Sequence, residues 1–154
     1  MKTHEAEIVF TSRTMNRQQP DADQMTKSVL RGRIAEGAGS LYLIFSAAVP
    51  EAGPADYTIK ISGDGREALI RRKGAVPLRQ PLFVGTPAEG TYETPFGKLK
   101  TEATALKIES SWDRETRSGT AGLIYEMMLE GQYSGRFRLD FRFRGMKQST
   151  DDGV

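Results

Sequence analysis

The sequence predicts an all-β protein, a single antiparallel up-and-down β-barrel of about eight to nine strands. Three observations carry that reading. Apolar and polar residues alternate with period 2 from end to end, and no long stretch carries a 3.6-residue period. Turn signals fall at short intervals, among them Glu36-Gly37-Ala38-Gly39, Gly63-Asp64-Gly65, Thr94-Pro95-Phe96-Gly97 and Glu130-Gly131. The last strand has Phe137, Leu139, Phe141 and Phe143 on one face and Arg136, Arg138, Asp140, Arg142 and Arg144 on the other, so one side is wholly apolar and the other wholly charged. A barrel is preferred to a sandwich because successive hairpins give an up-and-down order. Closure also removes the edges that strands this long would expose.

The first strand runs from about Glu5 to Met15, with Ala6, Ile8 and Phe10 on one side, and Asn16 to Asp23 is a connection. A second strand, about Gln24 to Ala35, carries Met25, Val29 and Ile34, and Gly32 within it reads as a bulge. Leu41 to Val49 has consecutive apolar residues and reads as a strand buried on both faces. Tyr57, Ile59 and Ile61 alternate with polar residues, turn at Gly63-Asp64-Gly65, and are followed by Ala68, Leu69 and Ile70. Pro77, Pro81 and Pro87 make the next stretch poor in strand, or confine it to an edge, because proline donates no ladder hydrogen bond. Gly90–Thr94 and Lys98–Ser110 flank a tight turn, Asp113–Gly119 is a loop, and Leu123, Tyr125, Met127 and Leu129 share one face of the next strand. The barrel domain is expected to span 1–145, with 146–154 as a flexible tail.

A chain of 154 residues suits one domain. Its 38% hydrophobic and 27% charged residues fit neither a disordered nor a membrane composition. No apolar run reaches the roughly 20 residues needed to span a bilayer, and the N-terminal residues lack an apolar signal core. The absence of cysteine removes disulfides, thiolate catalysis and cysteine-based metal sites. The expectation is a soluble, cytoplasmic protein. Twenty-two basic and 20 acidic residues leave a net charge of +2, too balanced for a dedicated nucleic-acid binder.

Arg72-Lys73-Gly74, Phe83-Val84-Gly85, Tyr92-Glu93-Thr94-Pro95-Phe96-Gly97 and Ile124-Tyr125, in that order and spacing, resemble the YwiB-like bacterial proteins of unknown function. The resemblance covers Tyr57 to Gly145. It implies a calycin-like barrel, the architecture shared with lipocalins and fatty-acid-binding proteins. It implies no activity and carries over no catalytic residue.

Chemistry-bearing constellations are few. His4 is the only histidine, no Gly-x-Ser-x-Gly elbow is present, and one imidazole without a thiol does not make a zinc site. Glu5 and Glu7 share a strand face, but Val9 stands where a triphosphate-binding barrel would want lysine, and Asp151-Asp152 lies in the tail. No catalytic residue, metal or cofactor is assigned, and the balance is against an enzyme. The first functional reading is a small, largely apolar ligand held inside the barrel by Tyr57, Tyr92, Tyr125, Met127, Leu139 and Phe141. The second is an enzyme or binder for an anionic or phosphorylated compound, with Arg71, Lys73, Arg138 and Arg142 turned inward. The third is a filled barrel acting as an interaction module. Alternation separates aromatic from basic residues, which argues against nucleic acid as a partner, and the sequence is silent on oligomeric state.

Overall fold

Each strand pairs antiparallel with its chain neighbours, and the last returns to the first. In the computed structural model, which describes residues 2–16, 23–49 and 51–146, these are β1 (Thr3–Met15), β2 (Gln24–Gly37), β3 (Ser40–Val49), β4 (Gly53–Ser62), β5 (Glu67–Gly74), β6 (Leu78–Phe83), β7 (Pro87–Thr94), β8 (Gly97–Asp113), β9 (Ser118–Leu129) and β10 (Gln132–Gly145). The pairing of β1 with β10 closes the barrel. Its register sets Ile8 opposite Phe143 and Phe10 opposite Phe141. The expected tail, apart from Met146, and most of the Asn16–Asp23 connection lie outside the described residues.

The count of ten exceeds the expected number because the proline-rich stretch contains two strands, β6 and β7. Pro81 pairs opposite Leu69 of β5, while β6 and β7 share only the pairs Leu78–Tyr92 and Arg79–Thr91. Pro81 therefore stands beyond the last β6–β7 pair, where no ladder bond is forfeited on that side. Gln80 bridges this poorly paired seam. Fully buried, its amide nitrogen donates to the carbonyls of Pro81 (2.7 Å) and Ala88 (3.1 Å), and its oxygen accepts from the buried Thr101 hydroxyl. Gly90 leaves the room: a Cβ there would come within 2.6 Å of the Gln80 oxygen and 2.4 Å of the Arg79 carbonyl.

Two further expectations change. Leu41–Val49 is not buried on both faces; Leu41, Leu43 and Phe45 point inward, and Tyr42 and Ile44 are half-buried outside them. Its consecutive apolar residues mask an ordinary period 2. On β2, Met25 and Val29 are exposed, and Leu30 and Ile34 face the interior. Gly32 is no bulge, since the β1–β2 register runs unbroken past Ala6–Gly32. It supplies space instead, because a Cβ would lie 2.5 Å from the Ile44 carbonyl and 2.8 Å from the Ile8 side chain.

The hairpin chemistry follows the sequence. Ala38-Gly39 (φ 52° and 76°) and Glu130-Gly131 (φ 49° and 80°) are two-residue turns with both residues in the left-handed region, which suits the twist of the flanking strands. At Thr94–Gly97 the threonine hydroxyl receives the Phe96 N–H and donates to the Gly97 carbonyl.

The interior is filled from the end bearing the β2–β3, β4–β5 and β8–β9 turns. Ala6, Ile8, Ile34, Leu43, Ile59, Ile61 and Leu123 are fully or almost fully buried there, and Trp112 stacks on Phe143. Gln80→Leu is expected to cost about 3 kcal/mol in urea denaturation, because it strands the Ala88 carbonyl and the Thr101 hydroxyl. Adding Thr101→Val should restore part of that loss. If the double variant is less stable than Gln80→Leu alone, the bridging role fails.

Candidate ligand cavity

Phe10, Phe45, Tyr57 and Phe141 meet across the middle of the barrel. Phe10 stacks on Phe141 (4.9 Å between centroids, 7° between planes) and Phe45 on Tyr57 (4.9 Å, 10°). Phe10 and Phe45 are tilted against each other at 5.3 Å, so the two stacks form one layer. This aromatic floor closes off the filled half. Beyond it, toward the turns at Glu51-Ala52 and Pro95-Phe96, lies a cavity of about 600 Å³, within the size range of small-molecule sites.

The cavity has two unlike walls. On β9 and β10 the lining residues are Tyr125, Met127, Leu129, Ser134, Phe137 and Leu139, with Tyr125 stacked on Phe137 at 5.3 Å. On β1 and β2 they are Ser12 and Thr14, then Gln24, Thr26 and Ser28. Along β1 the inner face therefore changes from Ala6, Ile8 and Phe10 to hydroxyls at the height of the floor. A side opening lies between β2 and β3. Their pairing runs only from Gly37–Ser40 to Arg33–Ile44; beyond it Thr26 and Ser28 face the cavity from one edge, and Ala47, Ala48 and Val49 from the other.

Of the residues the sequence suggested for an apolar ligand, Tyr57, Tyr92, Tyr125, Met127 and Leu139 line the cavity, while Phe141 lies in the floor beneath it, stacked on Phe10. The basic set is placed differently. Arg71, Lys73, Arg138 and Arg142 all stand exposed on the outer face, and Arg138 pairs with Asp140 at 2.8 Å. An interior anion site made of these four is ruled out by strand parity: Phe137, Leu139, Phe141 and Phe143 take the inward positions of β10.

Sequence reasoning missed Arg72. Parity with Ala68 and Ile70 turns it inward, and it is the one charged side chain among the described cavity-lining residues. Its Nε donates to the Val76 carbonyl at 2.8 Å. The guanidinium lies 5.8 Å from the Tyr57 ring centroid and 6.0 Å from that of Tyr92, a cation–π arrangement with both rings. The signal that could have found it was the apolar pair at two-residue spacing just before it.

A closed ten-strand barrel, solid at one end and hollow at the other, is the class these observations define. The chain belongs to the family described as Domain of unknown function (DUF1934), whose pattern matches residues 10–141. It is similar in fold to the crystal structure of the ywiB protein from Bacillus subtilis, with a TM-score of 0.76 and 20% sequence identity over 94% of each chain. The YwiB-like resemblance read from the sequence therefore holds. No curated protein matches the chain.

Burial pushes the Tyr125 phenol well above its ordinary value of 10.0, with nearby Tyr57 adding to the rise and Arg72 opposing it. The folded protein keeps this proton where the unfolded chain has lost it. The stability Tyr125 contributes is thus full below about pH 10 and lost as pH rises further. Urea midpoints measured from about pH 9 to about pH 11 should fall less steeply for Tyr125→Phe than for the native protein; equal slopes would show that the phenol is not held protonated.

Proposed function

We propose that this protein is a cytoplasmic binder of a small, largely apolar ligand, held in the hollow end of the barrel. The cavity carries the proposal: about 600 Å³ lined on one side by Met127, Leu129, Phe137 and Leu139 and floored by aromatic rings. A closed barrel that needed only stability would gain by filling this volume, since buried apolar contact is the main favourable term in folding. Hydroxyls on the adjoining wall of β1 and β2 and the tyrosines give orientation without requiring a highly polar ligand. The cytoplasmic placement is supported by the absence of cysteine, which suits a reducing compartment. Among the described residues no helix is long and apolar enough to cross a membrane.

The reading of a barrel filled throughout is not supported by a void of this size. The reading of an anion site on Arg71, Lys73, Arg138 and Arg142 loses its geometry with those side chains outside. Native mass spectrometry of the freshly purified protein, compared with its denatured mass, tests occupancy directly: an extra mass that leaves on denaturation supports an occupied interior. A second test needs no endogenous ligand. The neutral fluorophore N-phenyl-1-naphthylamine should brighten on the native protein, and Leu129→Trp, which adds bulk to the cavity wall, should weaken its binding at least tenfold. Unchanged binding by this variant would place the fluorophore elsewhere and remove the support.

A further inference from the structure

We infer that the ligand of this cavity is a monoanion, a carboxylate on an apolar body, with its headgroup seated on Arg72; this rests on the binding reading above. Three observations converge. Arg72 occupies the last inward position of β5 before Gly74, so its guanidinium lies in the hollow end rather than in the filled core. No carboxylate is found among the described residues lining the cavity, and no described residue forms an ion pair with Arg72. A guanidinium drawn into a part-apolar cavity without a counter-charge is costly, and an arriving anion repays that cost.

The side chain is also held in place. Arginine carries five N–H donors, and the single Nε donor is the one used on the Val76 carbonyl. Among the described residues no hydrogen bond or ion pair engages the terminal nitrogens, whose paired N–H groups match the two oxygens of a carboxylate. Val76 itself lies at φ 48°, a left-handed conformation that is a true outlier for a β-branched residue. It is fixed by its neighbours: the Ala75 N–H donates to the Pro54 carbonyl at 3.0 Å and the Glu93 N–H to the Pro77 carbonyl at 2.8 Å. Backbone strain is thus sustained at the residue whose carbonyl aims the guanidinium, and such strain concentrates at ligand clamps. Tyr57 and Tyr92 lie against the same group and limit its rotamers.

The chemistry selects a carboxylate over a phosphate monoester. The one cation among the described lining residues matches one negative charge, whereas a phosphate monoester carries about −1.5 to −2 at neutral pH. The cavity offers it no second cation among the described lining residues. From Arg72 the apolar body of the ligand would run over the Phe10–Phe45 floor against the β9 and β10 wall.

The experiment compares decanoate, decanol and decyl phosphate as competitors of N-phenyl-1-naphthylamine on the full chain. Decanoate should bind at least tenfold more tightly than decanol and more tightly than decyl phosphate. In Arg72→Gln the decanoate preference over decanol should shrink below threefold, with decanol itself changed by less than threefold. Arg72→Lys, which keeps the charge but loses the fork, should retain part of the preference. Equal binding of decanoate and decanol by the native protein overturns the inference while leaving the apolar-binding reading intact. That native ratio decides the point even if Arg72→Gln fails to fold. A preference that survives in Arg72→Gln puts the headgroup elsewhere, and tighter binding of decyl phosphate overturns the choice of carboxylate. Failure of the fluorophore and all three competitors to bind removes the cavity reading itself, and this inference with it.

Discussion

Everything in this barrel depends on the register of the seam between its first and last strands. Closure needs β10 to return beside β1, and the pairing that does so runs from Ala6–Gly145 to Met15–Arg136 without interruption. Because strand side chains alternate, a slip of one residue would turn Phe137, Leu139, Phe141 and Phe143 outward and draw four arginines into the core. The charge alternation of β10 therefore does two jobs. It gives the outer face its solubility, and it makes every odd-numbered slip prohibitively costly.

The same register sets where the barrel is filled. An eight-strand barrel has an interior that side chains can just fill, and diameter grows with strand number, so a ten-strand barrel of ordinary aliphatic residues would be underpacked. The seam answers this with size. It sets Phe10 beside Phe141, and Phe45 and Tyr57 from the paired strands β3 and β4 complete the layer. Stacked rings span a width that leucine and valine would leave empty. One such layer is enough to seal one half, and the other half stays open.

Much of this is legible in the chain. The period-2 pattern, the hairpin turns and the inward face of β9 and β10 follow from local chemistry that tertiary contacts only reinforce. What escaped sequence reading had non-local causes. Prolines at 77, 81 and 87 argue against strands, and only the sparse pairing of β6 with β7, bridged by the Gln80 side chain, explains why they are tolerated. The third strand gives no parity signal, because Tyr42 and Ile44 are apolar on its outer side too. For the cavity, tyrosines and the β9–β10 wall could be named from alternation alone. Arg72 could not be chosen from the run Arg71-Arg72-Lys73 until parity with Ile70 was weighed above charge.

The inner face of each strand also records where packing stops. Read from the filled end toward the hollow one, β1 presents Ala6, Ile8, Phe10, Ser12 and Thr14, and β3 presents Leu41, Leu43, Phe45, Ala47 and Val49. On β2, Ile34 and Leu30 give way to Ser28 and Thr26. Three neighbouring strands thus exchange bulk for small or hydroxylic residues past the aromatic floor, while the lining from β9 and β10 stays mostly apolar, broken by Ser134 and the Tyr125 phenol. Buried hydroxyls without partners would be destabilising in a packed core; they are tolerable only where water or a ligand can reach them. A change made together on three strands, and much weaker on β10 and β9 beside them, is what an amphipathic cavity requires. The open edge between β2 and β3 lies on the side where the change was made, so the wall with the fewest apolar contacts to lose is also the one that parts.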